Sequence, residues 1–306
     1  MDPLFEYRHC PNCGRNDFTV LFDSNMKQDD FQEGIESLWM LPGGKYGRHV
    51  KCRNCHLIYV NPIEKGSKIN KDYSQRKSDD VSIIRESRLR ATKSQVELIK
   101  RYKKGTNLLD IGCGEGFFLF NASKAGYSAK GIELSQDAAA YAKKEFSLDI
   151  EARAFEERQF PENYFDMVTL WQVLEHLPYP LAILKEAYRI LKLGGLLVVS
   201  TPNIEGIPAR TFRRRWWNIR KLHINQFSTK TLTDILENAG FKNVSSVSYK
   251  ESISLLMLFI PLLKYLKIYK SLKALFYPTS IMGKIMNKMV LIYPSTLDNC
   301  TVIGFK

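Results

Sequence analysis

Short apolar runs alternate with amphipathic stretches through most of this 306-residue chain, and that alternation limits the folds open to it. The runs lie at residues 107–111, 128–133, 165–171 and 196–200, and helical patterns at 136–146 and 181–193 fall between them. Strands alternating with helices predict a parallel sheet covered by helices on both faces. In such sheets ligands bind at the carboxyl ends of the strands. A further helical pattern at 81–102, carrying Ile83, Ile84, Leu89, Val96 and Ile99, precedes the first run and ends in Lys103-Lys104-Gly105. Basic residues and glycine are what a helix C-terminus favours. The closing segment 299–305 reads as a last strand, and 243–249 as another.

The first run leads into Asp110-Ile111-Gly112-Cys113-Gly114-Glu115-Gly116. Glycines permit a tight turn and let backbone amides approach a ligand at a helix N-terminus. The dinucleotide fingerprint is not matched, because one residue and not two separates the last two glycines, which counts against a nicotinamide dehydrogenase. Glu115 would repel a pyrophosphate but tolerate a zwitterionic amino-acid tail. Glu133, followed by Leu134, ends the second run, where an acidic residue can accept both hydroxyls of a ribose.

Four of the six cysteines form two C-x2-C pairs, Cys10/Cys13 and Cys52/Cys55. Each pair can turn two thiolates toward one ion, and two pairs make a closed all-sulfur site of the structural zinc type. Strand-like segments at 18–22 and 56–60 flank them, and 29–47 reads as an insertion. A module this small needs such a staple, because it cannot bury a core of its own. The pairs also suit a reducing compartment. Residues Met1 to His9 are mixed and polar, without the apolar run of a secretory leader, and the longest apolar stretch, 255–263, contains Pro261 and is too short to span a bilayer. The expectation is a cytoplasmic protein.

The whole constellation, in this order and spacing, resembles the class I S-adenosylmethionine-dependent methyltransferases over about residues 81–306. The motifs that carry it are the Asp110 to Gly116 turn, Glu133, the strand Phe165 to Trp171 followed by Gln172-Val173-Leu174-Glu175-His176, and Gly194-Gly195 before the run at 196–200. The resemblance implies a Rossmann-like seven-stranded sheet. It implies that Asp110, Gly112 and Gly114 hold the methionine part of the cofactor, Glu133 its ribose, and Ala154-Phe155 its adenine, with Gln172 beside the methionine end and Gly116 and Leu134 also among the cofactor-binding residues. Similar enzymes with an N-terminal zinc ribbon carry a Trp, then a His followed closely by Phe-Ser, before a helix ending in Ala-Gly-Phe. Here those elements are Trp216 or Trp217, His223, Phe227-Ser228 and Ala239-Gly240-Phe241. Some relatives bind a divalent metal through Glu-x-x-Glu-His, and this chain has Gln172 in place of the first Glu.

A hydroxyl or amine acceptor needs somewhere to send its proton. His176, with Glu175 beside it, and His223 are the candidate bases; the alternative is that both only hold a lid. Arg213-Arg214-Arg215-Trp216-Trp217 is the densest basic-aromatic cluster and is the candidate acceptor grip, since Arg clamps anions and Trp offers a flat face. A formal charge of +13, from 45 Lys and Arg against 32 Asp and Glu, favours anionic partners. Before the last strand, residues 250–295 read as an apolar and basic helical insertion, with Lys264, Lys267, Lys270 and Lys273 among Leu262, Leu263, Leu266, Leu272 and Leu275. It suits either an interfacial face touching a membrane through 253–293, or a helical cap or dimer contact. The domain plan is a zinc module at 1–62, a linker at 63–80 and the methyltransferase-like domain at 81–306. Methyl transfer to a small-molecule, glycan or lipid-linked acceptor leads, an RNA methyltransferase gripping phosphates follows, and a non-catalytic binding protein built on the same fold is the third reading.

Overall fold

The computed structural model of the chain describes residues 5–26, 44–66, 71, 73–75, 81–102, 105–156, 158–257, 259, 272–277 and 280–306. The cysteine module contributes β1 (Phe5–Glu6), β2 (Phe18–Phe22), β3 (His49–Cys52), β4 (Ile58–Val60) and β5 (Ile63–Glu64). Then follow α1 (Val81–Lys100), β6 (Asn107–Ile111), α2 (Phe117–Lys124), β7 (Ser128–Ile132), α3 (Gln136–Phe146), β8 (Asp149–Glu151) and β9 (Phe165–Trp171). The chain continues with α4 (Pro180–Ile190), β10 (Leu191–Pro202), α5 (Ile207–Phe212), β11 (Asn225–Gln226), α6 (Thr229–Asn238) and β12 (Lys242–Val247). It closes with β13 (Lys250–Ser254), α7 (Ile281–Lys288), β14 (Val290–Pro294) and β15 (Asn299–Phe305).

The main sheet has seven strands in the order β12-β15-β10-β9-β6-β7-β8, parallel except for the antiparallel β15. From β6 the order runs one way through β7 to β8 and the other way through β9 to β10, so the crevice where it reverses opens at the carboxyl ends of β6 and β9. The central strands are buried on both faces, which is why they read as continuous apolar runs. Two differences from the sequence reading have local causes. Helix α4 stops at Ile190, because Leu191 already pairs with Phe165 and the residues up to Leu196 bulge out around Gly194, at φ +70°. Strand β8 is a three-residue edge strand with charged ends and carries no apolar signal.

The cysteine module is not a separate lobe. Its sheet runs β11-β4-β3-β2, so its fourth strand comes from the chain beyond β10. Residues 63–64, expected to open a linker, form β5 and pair with β1. Cys10, Val50, Cys52, Leu57 and Tyr59 share one buried cluster with Leu109, Leu170, Leu197 and Phe227. Of the expected insertion at 29–47, only residues 44–47 are described.

The insertion before the last strand is not simply helical: β13 and β14 pair antiparallel along their whole length and bracket it. Between them lie α7 and a short 3-10 turn at Lys273–Phe276. Lys264, Lys267, Lys270, Leu262, Leu263 and Leu266 fall outside the described residues. Among the described residues, no helix is long and apolar enough to cross a membrane.

Candidate active site

Strand β6 delivers Asp110 to the crevice and then turns sharply, with Gly112, Gly114 and Gly116 at φ +72°, +53° and +78°. The Gly112 and Cys113 amides both donate to the Ile132 carbonyl, at 2.8 and 3.1 Å, which ties the turn to the end of β7. A Cβ on Gly112 would stand 2.6 Å from the Val173 side chain, and one on Gly116 would stand 2.6 Å from Leu148. A Cβ on Gly114 would meet nothing within 4 Å, so that side of the turn faces open space. Asp110 is buried and its carboxyl is pushed up to about 8 by that burial, against the hydrogen bond donated by Thr169 Oγ1 at 2.7 Å, with the Glu133 charge adding to the rise.

Glu133 is buried as well. Its Oε2 accepts from the Gly114 amide at 2.8 Å and its Oε1 from the Ser135 amide at 2.7 Å. The carboxylate therefore braces the glycine turn, and each oxygen retains acceptor capacity for a diol. Leu134 is half-buried beside it, and Ser135 caps α3 by accepting from Ala138. Beyond β8, Phe155 is buried in the main core cluster, while the half-buried Ala154 accepts from Gln159 through its carbonyl. Gln172 is exposed at the end of β9, at φ +57°, and its amide donates to the Ser200 carbonyl.

The next turn, Leu174–His176, carries the acid-base candidates. Glu175 is 2% exposed, and neither carboxylate oxygen has a hydrogen-bond partner among the described residues. Burial pushes it up to about 8, offset in part by its own backbone amide and by Arg220. His176 Nδ1 lies 2.9 Å from the Leu222 carbonyl. A carbonyl only accepts, so Nδ1 carries the proton and the lone pair stays on Nε2, 3.9 Å from Glu175 Oε1. His223 is different. Its Nε2 lies 2.5 Å from the Arg220 guanidinium, which only donates, so that lone pair is already taken. Burial, followed by Arg220 and His176, holds His223 well below the ordinary histidine range. Sequence alone leaves the two histidines equal, and this geometry separates them. One ligand atom each from Glu175, His176 and His223 lies within 4.8 Å of the others, close enough for a cation, but the guanidinium already faces the third of them.

A family model described as a methyltransferase domain matches residues 84–246, more than half of the chain. The chain belongs to that methyltransferase-domain family. A ubiquinone biosynthesis O-methyltransferase of Hydrogenovibrio crunogenus is 35% identical over 118 residues, covering 36% of this chain and 48% of that protein. A protein of Mycolicibacterium smegmatis named as a probable S-adenosylmethionine-dependent methyltransferase is 29% identical over 140 residues, covering 45% of this chain and 52% of its own. The chain thus spans about half the length of these curated relatives. Among solved structures, a methyltransferase of Archaeoglobus fulgidus aligns at 20% identity with a TM-score of 0.50, over 74% of this chain and 97% of its own, a likeness of fold.

The methyltransferase-domain family match begins inside α1 and leaves out the cysteine module. Within that module Cys10, Cys13, Cys52 and Cys55 converge, with Cys10 and Cys55 sulfurs 3.4 Å apart and Cys13 and Cys52 sulfurs 3.6 Å apart. Four thiolates about 2.3 Å from one zinc stand about 3.8 Å from each other, so the donor set fits that ion. Arg8, just before the first knuckle, was missed by sequence reasoning. Buried, it donates to the carbonyls of Val60, Pro178 and Ile224 and to Asn225 Oδ1, joining the module, the turn after His176 and the end of the lid. Nothing in the sequence around Arg8 signals that reach.

The lid needs one correction. Arg213, Arg214 and Arg215 form an exposed 3-10 turn, as an anion grip requires, but Trp216 is fully buried against Tyr46, Ala209 and Ile219 and has no face to offer an acceptor. Trp217 is half-buried, tilted against Phe212 at 5.7 Å. A groove of about 680 Å³ lies away from the glycine turn, between the first knuckle and α4, where Arg158, Lys185 and Arg189 line it.

Proposed function

We propose that the protein transfers a methyl group from S-adenosylmethionine to a small-molecule acceptor, with the four-cysteine module holding zinc. The observation that supports this best is the glycine turn at the topological switch point, braced by Glu133 and backed by buried Asp110, with an open side at Gly114. When bound, S-adenosylmethionine supplies an electrophilic methyl group on a sulfonium. Asp110 and the open side of the turn at Gly114 would orient the amino-acid tail, Glu133 and Leu134 the ribose, Ala154 and Phe155 the adenine edge, and Gln172 the methionine end. Positioning of this kind does much of the work of an in-line displacement.

His176 is the proposed base, because its Nδ1–H is fixed on the Leu222 carbonyl and Nε2 can take the acceptor's proton. Glu175 Oε1 lies 3.9 Å from that nitrogen, and burial keeps its carboxyl protonated up to about pH 8, so below that pH it adds no fixed anion to the base. His223, held by Arg220, keeps His176 in place by ring contact, with centroids 4.6 Å apart. Exposed Arg213, Arg214 and Arg215 favour an anionic acceptor, such as a sugar phosphate, a glycan precursor or a lipid-linked phosphate. Ile281, Met282, Ile285, Leu291 and Ile292 are exposed beside Lys284 and Lys288, which supports membrane contact through this insertion and a cytoplasmic, peripherally bound enzyme. An RNA acceptor shares the arginine chemistry, but burial of Trp216 removes one stacking face from that reading.

The experiment is incubation of the zinc-loaded protein with methyl-labelled S-adenosylmethionine and source-cell lysate, followed by fractionation. Label in a glycan, lipid or small-molecule pool is the expected result. Label released by ribonuclease overturns the acceptor class, and calorimetry showing no binding of S-adenosylhomocysteine overturns the cofactor.

A further inference from the structure

The groove of about 680 Å³ between the first cysteine knuckle and α4 takes no part in the proposed methyl transfer, yet three separate sets of hydrogen-bond donors line it. The first is the start of α4 itself. Pro180 opens this 11-residue helix, no side chain caps it, and the first-turn amides of Leu181 and Ala182 have no acceptor within the helix. Such an end carries partial positive charge and receives anions on its N–H groups. The second is Asn12, in the turn of the knuckle. It lines the groove at 3% exposure, and its Oδ1 accepts from Asn238 Nδ2 at 2.8 Å. Its own NH2 is buried with no partner among the described residues, and a donor left so is costly until something receives it. The third is a pair of cations, Arg158 and Lys185, both exposed and neither in an ion pair among the described residues.

The carboxylate on these walls does not oppose an anion. Glu186 is buried, accepts from Arg189 on both oxygens, at 2.8 and 2.6 Å, and accepts from the Arg158 amide at 2.9 Å. Arg189 thus balances its charge, and the third bond fixes Arg158 in place at φ +59°. Arg8 lines the groove as well, but its N–H groups go to carbonyls and to Asn225, and its charge lies beside the Cys10 sulfur. The uncommitted charge is therefore the two of Arg158 and Lys185. Two charges match a phosphate monoester dianion better than a carboxylate, and its three oxygens can also receive the helix amides and the Asn12 NH2. Pro11, Pro178 and Leu181 supply apolar wall for an organic body. We propose that this groove is a second ligand site, which binds a phosphorylated small molecule with its phosphate among Asn12, Arg158, Lys185 and the N-terminus of α4. The site stands apart from the methyl-transfer reading and does not depend on it.

The test uses two probes that share a ring and differ in the anion, phenyl phosphate and benzoate. Calorimetry measures each against the zinc-loaded full chain at about pH 7.5, where a phosphate monoester is mostly a dianion. Excess S-adenosylhomocysteine is present, so that the glycine-turn crevice is not offered to the probe. Phenyl phosphate is expected to bind at one site, at least about tenfold more tightly than benzoate. Lys185→Glu and Arg158→Glu should each weaken it at least about tenfold, because each sets like charge against the ligand. Both residues are exposed, so the melting temperature should hold. Arg213→Glu changes the exposed lid cluster instead and should leave the affinity within about twofold. No binding of phenyl phosphate, equal affinity for benzoate, or a loss in Arg213→Glu as large as in the other two variants overturns the site. The affinity for S-adenosylhomocysteine, titrated separately, keeps that failure distinct from a failure of the cofactor reading.

Discussion

The two halves of the crevice are built in opposite ways. The glycine-turn side is local: the three glycines and Glu133 lie within one strand-turn-helix-strand unit, where Glu133 and the Ile132 carbonyl brace the turn directly. The Glu175–His176 side, proposed for the acceptor, is assembled from distant segments. Arg8 reaches Ile224 and Asn225 across more than 200 positions, Asn225 Nδ2 donates to the Leu174 and Leu177 carbonyls, and Leu222 fixes His176. A local site tolerates change elsewhere in the chain, whereas a composite one depends on the docking of every contributor. The sheet of the cysteine module is completed by β11, whose Asn225 holds the turn that carries Glu175 and His176.

The largest effect is expected where the local half is broken at its own backbone. Gly112→Val places a branched side chain at φ +72° and into Val173, so the turn cannot form. Binding of S-adenosylhomocysteine should fall below detection, a loss of at least about 100-fold, and the melting temperature should drop. Gly114→Ala is the informative partner. Its added Cβ meets no protein atom, so folding bears only the left-handed backbone cost of about 1 kcal/mol. Affinity should still fall about tenfold, because the methyl enters the open space proposed for the cofactor. An affinity unchanged in Gly114→Ala would show that the open side of Gly114 is not a binding surface.

An intermediate effect should isolate the composite half. Arg8→Met keeps the length of the side chain but removes its hydrogen bonds to Val60, Pro178, Ile224 and Asn225. Acceptor turnover should fall about 100-fold while S-adenosylhomocysteine affinity stays within about twofold. Removing zinc with a chelator should produce the same split. Loss of cofactor binding alongside turnover would mean that the two halves fold as one unit.

The same contrast explains what the sequence disclosed. Strands β6 and β9, helix α3 and strand β15 were legible because periodicity and glycine punctuation are local signals. The cysteine pairs were legible because their spacing encodes a ligand set. Strands β8 and β11 were not, being two or three residues long and partly or wholly polar. The pairing of β13 with β14 joins segments some 40 positions apart, and no local pattern records such a partner. Burial of Trp216 was hidden because part of its cover, Tyr46 and Phe22, comes from the far end of the chain. For the same reason His176 and His223 looked equivalent until the Leu222 carbonyl and Arg220 were placed against them.

The smallest expected effect concerns stability rather than turnover, and it probes the buried carboxyl of the composite half. Folded Glu175 keeps its proton up to about pH 8, while the unfolded chain releases it near the ordinary value of 4.5. Between those values the native state binds more protons than the unfolded state, so stability declines as pH rises through that window. Glu175→Gln removes the titration. Both proteins should melt at similar temperatures near pH 5, and the variant should gain on wild type by about 2–4 °C for each kcal/mol recovered as pH rises toward 8. Comparing the two at each pH cancels any acid sensitivity of the four-cysteine cluster, which they share. A difference that is constant with pH would show that Glu175 is ionised throughout, its charge balanced by the Arg220 and His176 side of the cluster, and His176 would then work beside a fixed anion and not beside a carboxylic acid.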